Sequence, residues 1–258
     1  IEGNKWEALV HPGRRLRPGT VVEFFDRKLV AYLGERTESG GRLVQFSSNG
    51  DLMSIIWKHG EVPLPPYIDR AAEESDKTRY QTIYAENVGA VAAPTAGFHF
   101  TASIFEKLRE KGVETAKITL HPGLGTFRPI TQTDASKHRM HEEKYSICSE
   151  TADVINRAMD EKRRVIAVGT TTVRALESSF DESGKIIPRE MKSTGLFIKP
   201  TYDFKVIDGL LTNFHLPKST LLLLVSALAG RERVLRAYRE AIERKYRFYS
   251  YGDAMLIL

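Results

Sequence analysis

In the first sixty residues, apolar and polar positions alternate in short bursts. Segments 6–10, 21–25, 28–34 and 41–46 are apolar or alternating, separated by Pro-Gly, Asp-Arg and Ser-Gly-Gly turns, which predicts a small antiparallel barrel or sandwich. Residues 51–59 predict a short helix. The proline-rich VPLPPY stretch at 62–67 suits neither helix nor strand and marks a domain boundary.

Beyond Tyr67 the period lengthens. A capping Thr101, apolar Ile104, Phe105 and Leu108, and Gly112 as a stop predict a helix over 101–111, followed by a strand at 115–121. Ser149 as cap, with Thr151, Val154, Ile155 and Met159 along one side, predicts a helix over 149–163 that runs into a strand at 165–170. A helix at 172–180, strands near 195–198 and 206–213, an apolar helix at 221–229 and an amphipathic helix at 231–246 complete the chain. Strands alternating with helices imply a parallel sheet, open or closed into a barrel.

The chain is organised around 210–224, LLTNFHLPKSTLLLL, which joins a strand end, a polar turn and a buried helix. Asn213, His215, Lys218 and Ser219 are the polar side chains of the turn. Ser219 or Thr220 can cap the helix, and a helix N-terminus suits an anionic group. A satisfied core histidine at His215 and a solvated charge at Lys218 fit the same pattern.

Composition narrows the class without naming an activity. Of 258 residues, 41% are hydrophobic and 28% charged, and 12 Phe and 10 Tyr can fill a sizeable core, so the chain is globular rather than disordered. A single cysteine, Cys148, allows no internal disulfide and fits a reducing cytoplasm. The apolar run at 221–229 is too short to span a bilayer, and no signal peptide is visible. The sequence starts at Ile1 on strand-like residues, which reads as a start inside a domain. A net charge of +5 permits a polyanionic partner without requiring one. The basic residues cluster at Arg14, Arg15 and Arg17, and at Arg231, Arg233, Arg236, Arg239, Arg244, Lys245 and Arg247.

The candidate chemistry sits at strand ends. APTAGFHFT (93–101) carries His99, and LHPGLGTFRP (120–129) carries His121 with Gly123, Gly125 and Thr126. The lone Gly-x-Gly resembles half of a phosphate loop. VGTTTVR (168–174) is a strand-to-helix turn whose Thr170, Thr171 and Thr172 could hold a carboxylate or a nucleobase edge. HRMHEE (138–143) places His138, His141 and Glu142 together, but it lacks the HExxH spacing and the cysteines of common zinc sites. General acid and base work, or a structural hydrogen-bond network, uses the same residues. Since 144–147 reads as a strand and 133–137 as a turn or short helix, the expectation is a turn that directs His141 and Glu142 inward together.

These motifs, with PLPPYI (63–68), RYQT (79–82), TNFHLPKSTLLLLVSALAG (212–230) and YRFYSYGDAMLIL (246–258), occur in an order that resembles the S-adenosylmethionine:tRNA ribosyltransferase-isomerases of queuosine biosynthesis from Trp6 to Leu258. The resemblance implies a barrel-like parallel α/β catalytic domain with a small antiparallel β-barrel domain, divided here as 1–62 and 63–258. An N-terminal segment with an Asn-Asp-Thr-Arg motif, found in similar proteins, is not in this sequence. Residues 192–195 lack the family's usual Trp-Thr pair, and Thr201 stands where Gly is common.

The implied reaction transfers the ribosyl part of S-adenosylmethionine, a co-substrate, to the 7-aminomethyl group of a 7-deazaguanine at the wobble position of tRNA. It yields epoxyqueuosine, adenine and methionine with no metal or prosthetic group. The resemblance implies Gly125, Thr126, Thr170, Thr171, Arg174, Asn213, Lys218 and Ser219 as cofactor contacts. His141 or Glu142, assisted by His99, would remove the C5′ proton, and His121 or His215 would lie near the departing adenine. A cytoplasmic monomer with no membrane association is expected. Two other classes remain: a metal-dependent hydrolase or lyase built on His138, His141 and Glu142, and a non-catalytic RNA-binding module.

Overall fold

A computed structural model describes residues 3–37, 40–65, 67–90, 92–123, 140 and 142–258. It divides into two compact units, Ile1–Val62 and Pro63–Leu258.

The first unit holds β1 (Lys5–Ala8), β2 (Val21–Phe24), β3 (Leu29–Arg36), β4 (Arg42–Ser48) and helix α1 (Leu52–His59). The four strands pair antiparallel in the order β1-β4-β3-β2. Alternation sets its core: Leu29, Ala31 and Leu33 of β3 are buried along with Val44 of β4, and Val22 and Phe46 pack against this row. The Asp51 carboxylate caps α1 by accepting from the Ser54 N–H at 2.7 Å. Because β1 and β2 remain sheet edges, the described residues form an open sheet rather than the barrel expected.

The second unit begins with α2 (Asp76–Arg79), a 3₁₀ turn (Thr95–His99), α3 (Ala102–Glu110), β5 (Thr119–His121), β6 (Glu143–Ile147) and α4 (Ser149–Asp160). It continues with β7 (Ile166–Val168), α5 (Thr170–Glu177), β8 (Arg189–Thr194), β9 (Gly209–Asn213), α6 (Thr220–Ala229), α7 (Arg231–Glu243) and β10 (Ala254–Ile257). Two three-stranded sheets result, β10-β9-β7 and β5-β6-β8. The unit is mixed α/β, and among the described residues no sheet closes into a barrel.

The parallel sheet inferred from strand-helix alternation is reduced to the single pair β7–β9. Alternation makes neighbours parallel when both strands enter one sheet, but α4 links β6 of one sheet to β7 of the other. The expected strand at 195–198 is also displaced: β8 lies at Arg189–Thr194, where it pairs antiparallel with β6. Residues 115–118 lie outside β5. No helix among the described residues is long and apolar enough to cross a membrane.

The core lies against β9 and α5. Val173, Leu210 and Val225 have no exposed surface, and Tyr145, Ile147 and Leu224 are almost as deeply buried. Fully burying a side chain of this size contributes about 1.5–3 kcal/mol, so the polar ends of β7 and β9 rest on a firm support.

Candidate functional site

β7 and β9 run parallel, with Val168 opposite Leu211, so their C-terminal ends lie side by side. After β7 the chain turns at Gly169, whose φ of +91° is in the region that favours glycine, and enters α5 at Thr170. The three threonines therefore form the first turn of the helix rather than a loop ahead of it. Thr172 is committed, its hydroxyl donating to the Val168 carbonyl at 2.7 Å. No side chain among the described residues caps this terminus, which leaves its first N–H groups available.

After β9, residues 214–219 form the polar turn, and the Ser219 hydroxyl caps α6 by accepting from the Leu222 N–H at 3.2 Å. Both turns line one cleft, with Thr170, Thr171, Asn213, His215 and Ser219 contributing to its wall. The cleft is open to solvent, and the ≈ 810 Å³ of empty space around it includes solvent outside its mouth.

The third wall comes from the C-terminus. β10 pairs antiparallel with β9, setting Ala254 opposite Asn213, so the residues just before β10 arrive at the same sheet end. Tyr249 and Ser250 line the cleft there, together with Tyr67. Asp76 holds this loop from outside. Its buried carboxylate accepts from Arg70 Nη1 and Nη2 at 2.6 and 2.9 Å, from the Glu73 N–H at 2.8 Å and from the Tyr251 hydroxyl at 2.7 Å. Hydrogen bonding from Arg70, then from the Glu73 N–H, holds the Asp76 carboxyl well below the usual carboxylate range.

Asn213 ties the walls together. Its Nδ2 lies 3.1 Å from the Tyr249 carbonyl, 3.5 Å from the Gly252 carbonyl and 3.2 Å from His99 Nε2, and its Oδ1 accepts from the Thr95 hydroxyl at 3.3 Å. Carbonyls only accept, so the amide nitrogen faces them and His99 Nε2 must also accept. His99 is therefore neutral here. Burial lowers its pKa, with Asp253 opposing and Arg247 reinforcing the shift.

His215 is half-buried, its Nε2 2.9 Å from the Thr212 hydroxyl, and its backbone N–H donates to the Tyr238 hydroxyl at 2.8 Å. Burial pushes its pKa down to about 4, so it too is neutral near pH 7. His121 ends β5 beside Leu120 and Pro122 of the cleft wall. Its Nδ1 is buried without a hydrogen-bond partner among the described residues.

Three sequence expectations are corrected. Arg174 does not line the cleft; it is buried and paired with Glu143, Nη1 to Oε2 at 2.6 Å, and donates to the carbonyls of Leu196 at 2.9 Å and Thr194 at 3.1 Å. Lys218 is exposed, lies outside the cleft wall and adopts φ +57° at the tip of the turn. Glu142 is exposed, whereas Glu143 points inward, because strand alternation from β6 sets the phase one residue later than expected. Gly125, Thr126, His138 and His141 lie outside the described residues.

Sequence reasoning missed Tyr67, Thr95, Tyr249 and Ser250. Tyr67 lies in PLPPYI, Thr95 in APTAGFHFT, and Tyr249 and Ser250 in YRFYSYGDAMLIL, where they carry no chemistry until β10 is placed on β9.

A family described as "Queuosine biosynthesis protein" matches residues 1–257. A curated protein of Desulforamulus reducens, "S-adenosylmethionine:tRNA ribosyltransferase-isomerase", is 50% identical over 258 residues, covering 100% of this chain and 75% of the relative. The crystal structure of S-adenosylmethionine tRNA ribosyltransferase from Thermotoga maritima is 34% identical, with a TM-score of 0.49 over 100% of this chain and 72% of that one.

Proposed function

The chain belongs to the queuosine biosynthesis protein family, and from that premise we propose that it is an S-adenosylmethionine:tRNA ribosyltransferase-isomerase that binds its co-substrate in the cleft between β7–α5 and β9–α6. Family membership does not favour a metal-dependent hydrolase or a non-catalytic binding module. We propose that it acts in the cytoplasm.

One observation carries the location of the site. The uncapped start of α5 and the Asn213–Ser219 turn, which follow adjacent parallel strands, line one cleft, the place where parallel α/β units bind ligands. The α5 N–H groups suit the methionyl carboxylate, while the apolar and aromatic lining opposite suits the nucleoside.

The ribosyl group of S-adenosylmethionine passes to the 7-aminomethyl group of a 7-deazaguanine at the tRNA wobble position, giving epoxyqueuosine, adenine and methionine. The sulfonium acidifies the C5′ hydrogens, so a base starts adenine loss; an acid protonates the adenine, the amine attacks, and epoxide closure expels methionine. For proton removal at C5′ we assign His141 or Glu142 with His99. With its Nε2 lone pair taken by Asn213, neutral His99 carries its proton on Nδ1 and assists by donating from there rather than by taking the C5′ proton itself. Glu142 would have to turn in from its exposed position to take part. For the adenine side we assign His121, whose buried Nδ1 has no partner among the described residues, or the neutral His215. Gly125 and Thr126 are proposed as further contacts to the co-substrate.

Calorimetry tests the site. Thr171→Ala and Asn213→Ala should weaken binding of S-adenosylmethionine and of substrate RNA; wild-type affinity for both in both variants would overturn the placement.

A further inference from the structure

Tyr249 combines two features that seldom coincide. It adopts φ +70°, in the left-handed region that bulky residues avoid, and it lines the cleft rather than the core. A side chain is kept in such a conformation only where its surroundings over-determine it, and here they do. The Tyr249 N–H donates to the Phe214 carbonyl at 3.0 Å. Its own carbonyl accepts from the Gly252 N–H at 3.0 Å and from Asn213 Nδ2 at 3.1 Å. Gly252 is itself obligatory, because an added Cβ would meet Phe248 backbone carbon at 2.4 Å. On either side, the Ser250 hydroxyl bonds to the Tyr67 hydroxyl, and the Tyr251 hydroxyl reaches the Arg70–Asp76 pair.

All of these bonds fix the backbone and the neighbours of Tyr249, and the outcome is an aromatic ring held at the cleft wall. The Tyr67 ring lies 5.0 Å from it, inclined by 51°. Two half-buried rings fixed at an angle give a flat cyclic ligand one face and one edge to pack on, and every purine offers a π-face for such a contact. Aliphatic residues such as Leu216 and Leu221 supply the remaining apolar lining.

We infer that Tyr249 and Tyr67 form the wall of the cleft on which a purine ring stacks, and that the strained Tyr249 backbone aims that wall. The inference rests on the cleft being the substrate site. Its ligand chemistry is a purine or deazapurine ring, which the adenine of S-adenosylmethionine and the 7-deazaguanine of the RNA both supply.

The test uses Tyr249→Phe, which keeps the ring, and Tyr249→Gly, which removes it while accepting a positive φ. Each variant is titrated with S-adenosylmethionine and with an anticodon stem-loop carrying 7-aminomethyl-7-deazaguanine, and the purine absorbance is followed for the loss of intensity that stacking causes. Tyr249→Gly is expected to bind one of the two probes about 5- to 150-fold more weakly and to lose the hypochromic signal for it, with Tyr249→Phe close to wild type. Weakening of S-adenosylmethionine alone assigns the wall to adenine; weakening of the stem-loop alone assigns it to the deazaguanine. Both are supporting results. Unchanged affinity for both probes in Tyr249→Gly, or equal losses in Tyr249→Phe and Tyr249→Gly, would overturn the inference. Thr171→Ala separates this failure from that of the cleft: if it weakens S-adenosylmethionine while Tyr249→Gly weakens neither probe, the wall alone is wrong, and if neither variant matters for either probe the cleft assignment falls as well.

Discussion

Glu143→Gln leaves the Arg174 guanidinium without its carboxylate in a site where Arg174 is 3% and Glu143 4% exposed. The two groups are 2.6 Å apart. Removing one partner of a buried pair costs about 3–5 kcal/mol, because the remaining charge stays out of water. The Thr194 and Leu196 carbonyls, already bonded to the guanidinium, offset part of that cost. At roughly 2–4 °C per kcal/mol for a domain of this size, the melting temperature should fall by about 6–20 °C. Replacing both residues, Glu143→Leu with Arg174→Met, removes both charges, so the pair should couple by about 2 kcal/mol or more in a double-mutant cycle measured by denaturant unfolding. Strictly additive single effects would refute the ion-pair account. The same double variant tests what Arg174 does. If it holds the sheet and not the co-substrate, S-adenosylmethionine affinity in the folded double variant should stay well within the tenfold that 1.4 kcal/mol represents. A larger loss in protein of intact stability would return Arg174 to the binding site.

Three further outcomes follow from particular residues. Thr201 is exposed and holds φ +83°, a strain of about 1–3 kcal/mol that glycine relieves at an entropic cost of roughly 0.5–1 kcal/mol; Thr201→Gly should therefore raise stability by about 1 kcal/mol in denaturant unfolding, and a loss would refute the strain. His215 has its pKa lowered from 6.5 to about 4 by burial, so the unfolded chain takes up its proton first; the stability this group allows is full above pH 6.5 and declines as pH falls toward about 4. His215→Gln should flatten that decline in pH-dependent melts, and an unchanged slope would count against it. Along α7, Arg236 and Arg239 are exposed, and if they contact phosphates the double alanine variant should reduce the salt slope of tRNA binding by about 2; an unaltered slope would move the RNA surface elsewhere, most simply to Arg14, Arg15 and Arg17.

What could be read from the sequence was local. The β9–turn–α6 segment was legible because a strand period, polar turn residues and a serine cap follow one another within fifteen positions, and Ser219 does cap α6. The α3 helix was legible for the same reason, from Thr101 followed by helical spacing, and the short helix expected at 51–59 forms as α1. Long-range pairing was not. β8 forms where β6 offers hydrogen bonds, at Arg189–Thr194, although its polar sequence has little strand character and the apolar residues just after it looked the better strand. Arg174 was expected as a ligand contact because it ends the VGTTTVR motif of the resemblance, and its partner Glu143 is 31 residues away. Tyr249 and Ser250 reach the cleft through the register of β10 on β9, which no local pattern encodes. The inward carboxylate was placed one residue early because strand phase depends on where β6 begins pairing with β8. Thr201 shows the reverse: its departure from the glycine common at that position was visible in sequence, and its positive φ supplies the reason.

The central claim is that the cleft between the β7–α5 and β9–α6 turns transfers ribose from S-adenosylmethionine to tRNA. The most direct test incubates the protein with S-adenosylmethionine labelled in its ribose and tRNA carrying 7-aminomethyl-7-deazaguanine, and follows label in tRNA together with free adenine. The account predicts that label enters tRNA with one adenine released for each modified nucleoside, and that Asn213→Ala, which removes the group holding His99 Nε2 and the Tyr249 carbonyl, abolishes both. Label transfer at the wild-type rate in folded Asn213→Ala protein, or adenine release with no label in tRNA from the unmodified protein, would contradict it.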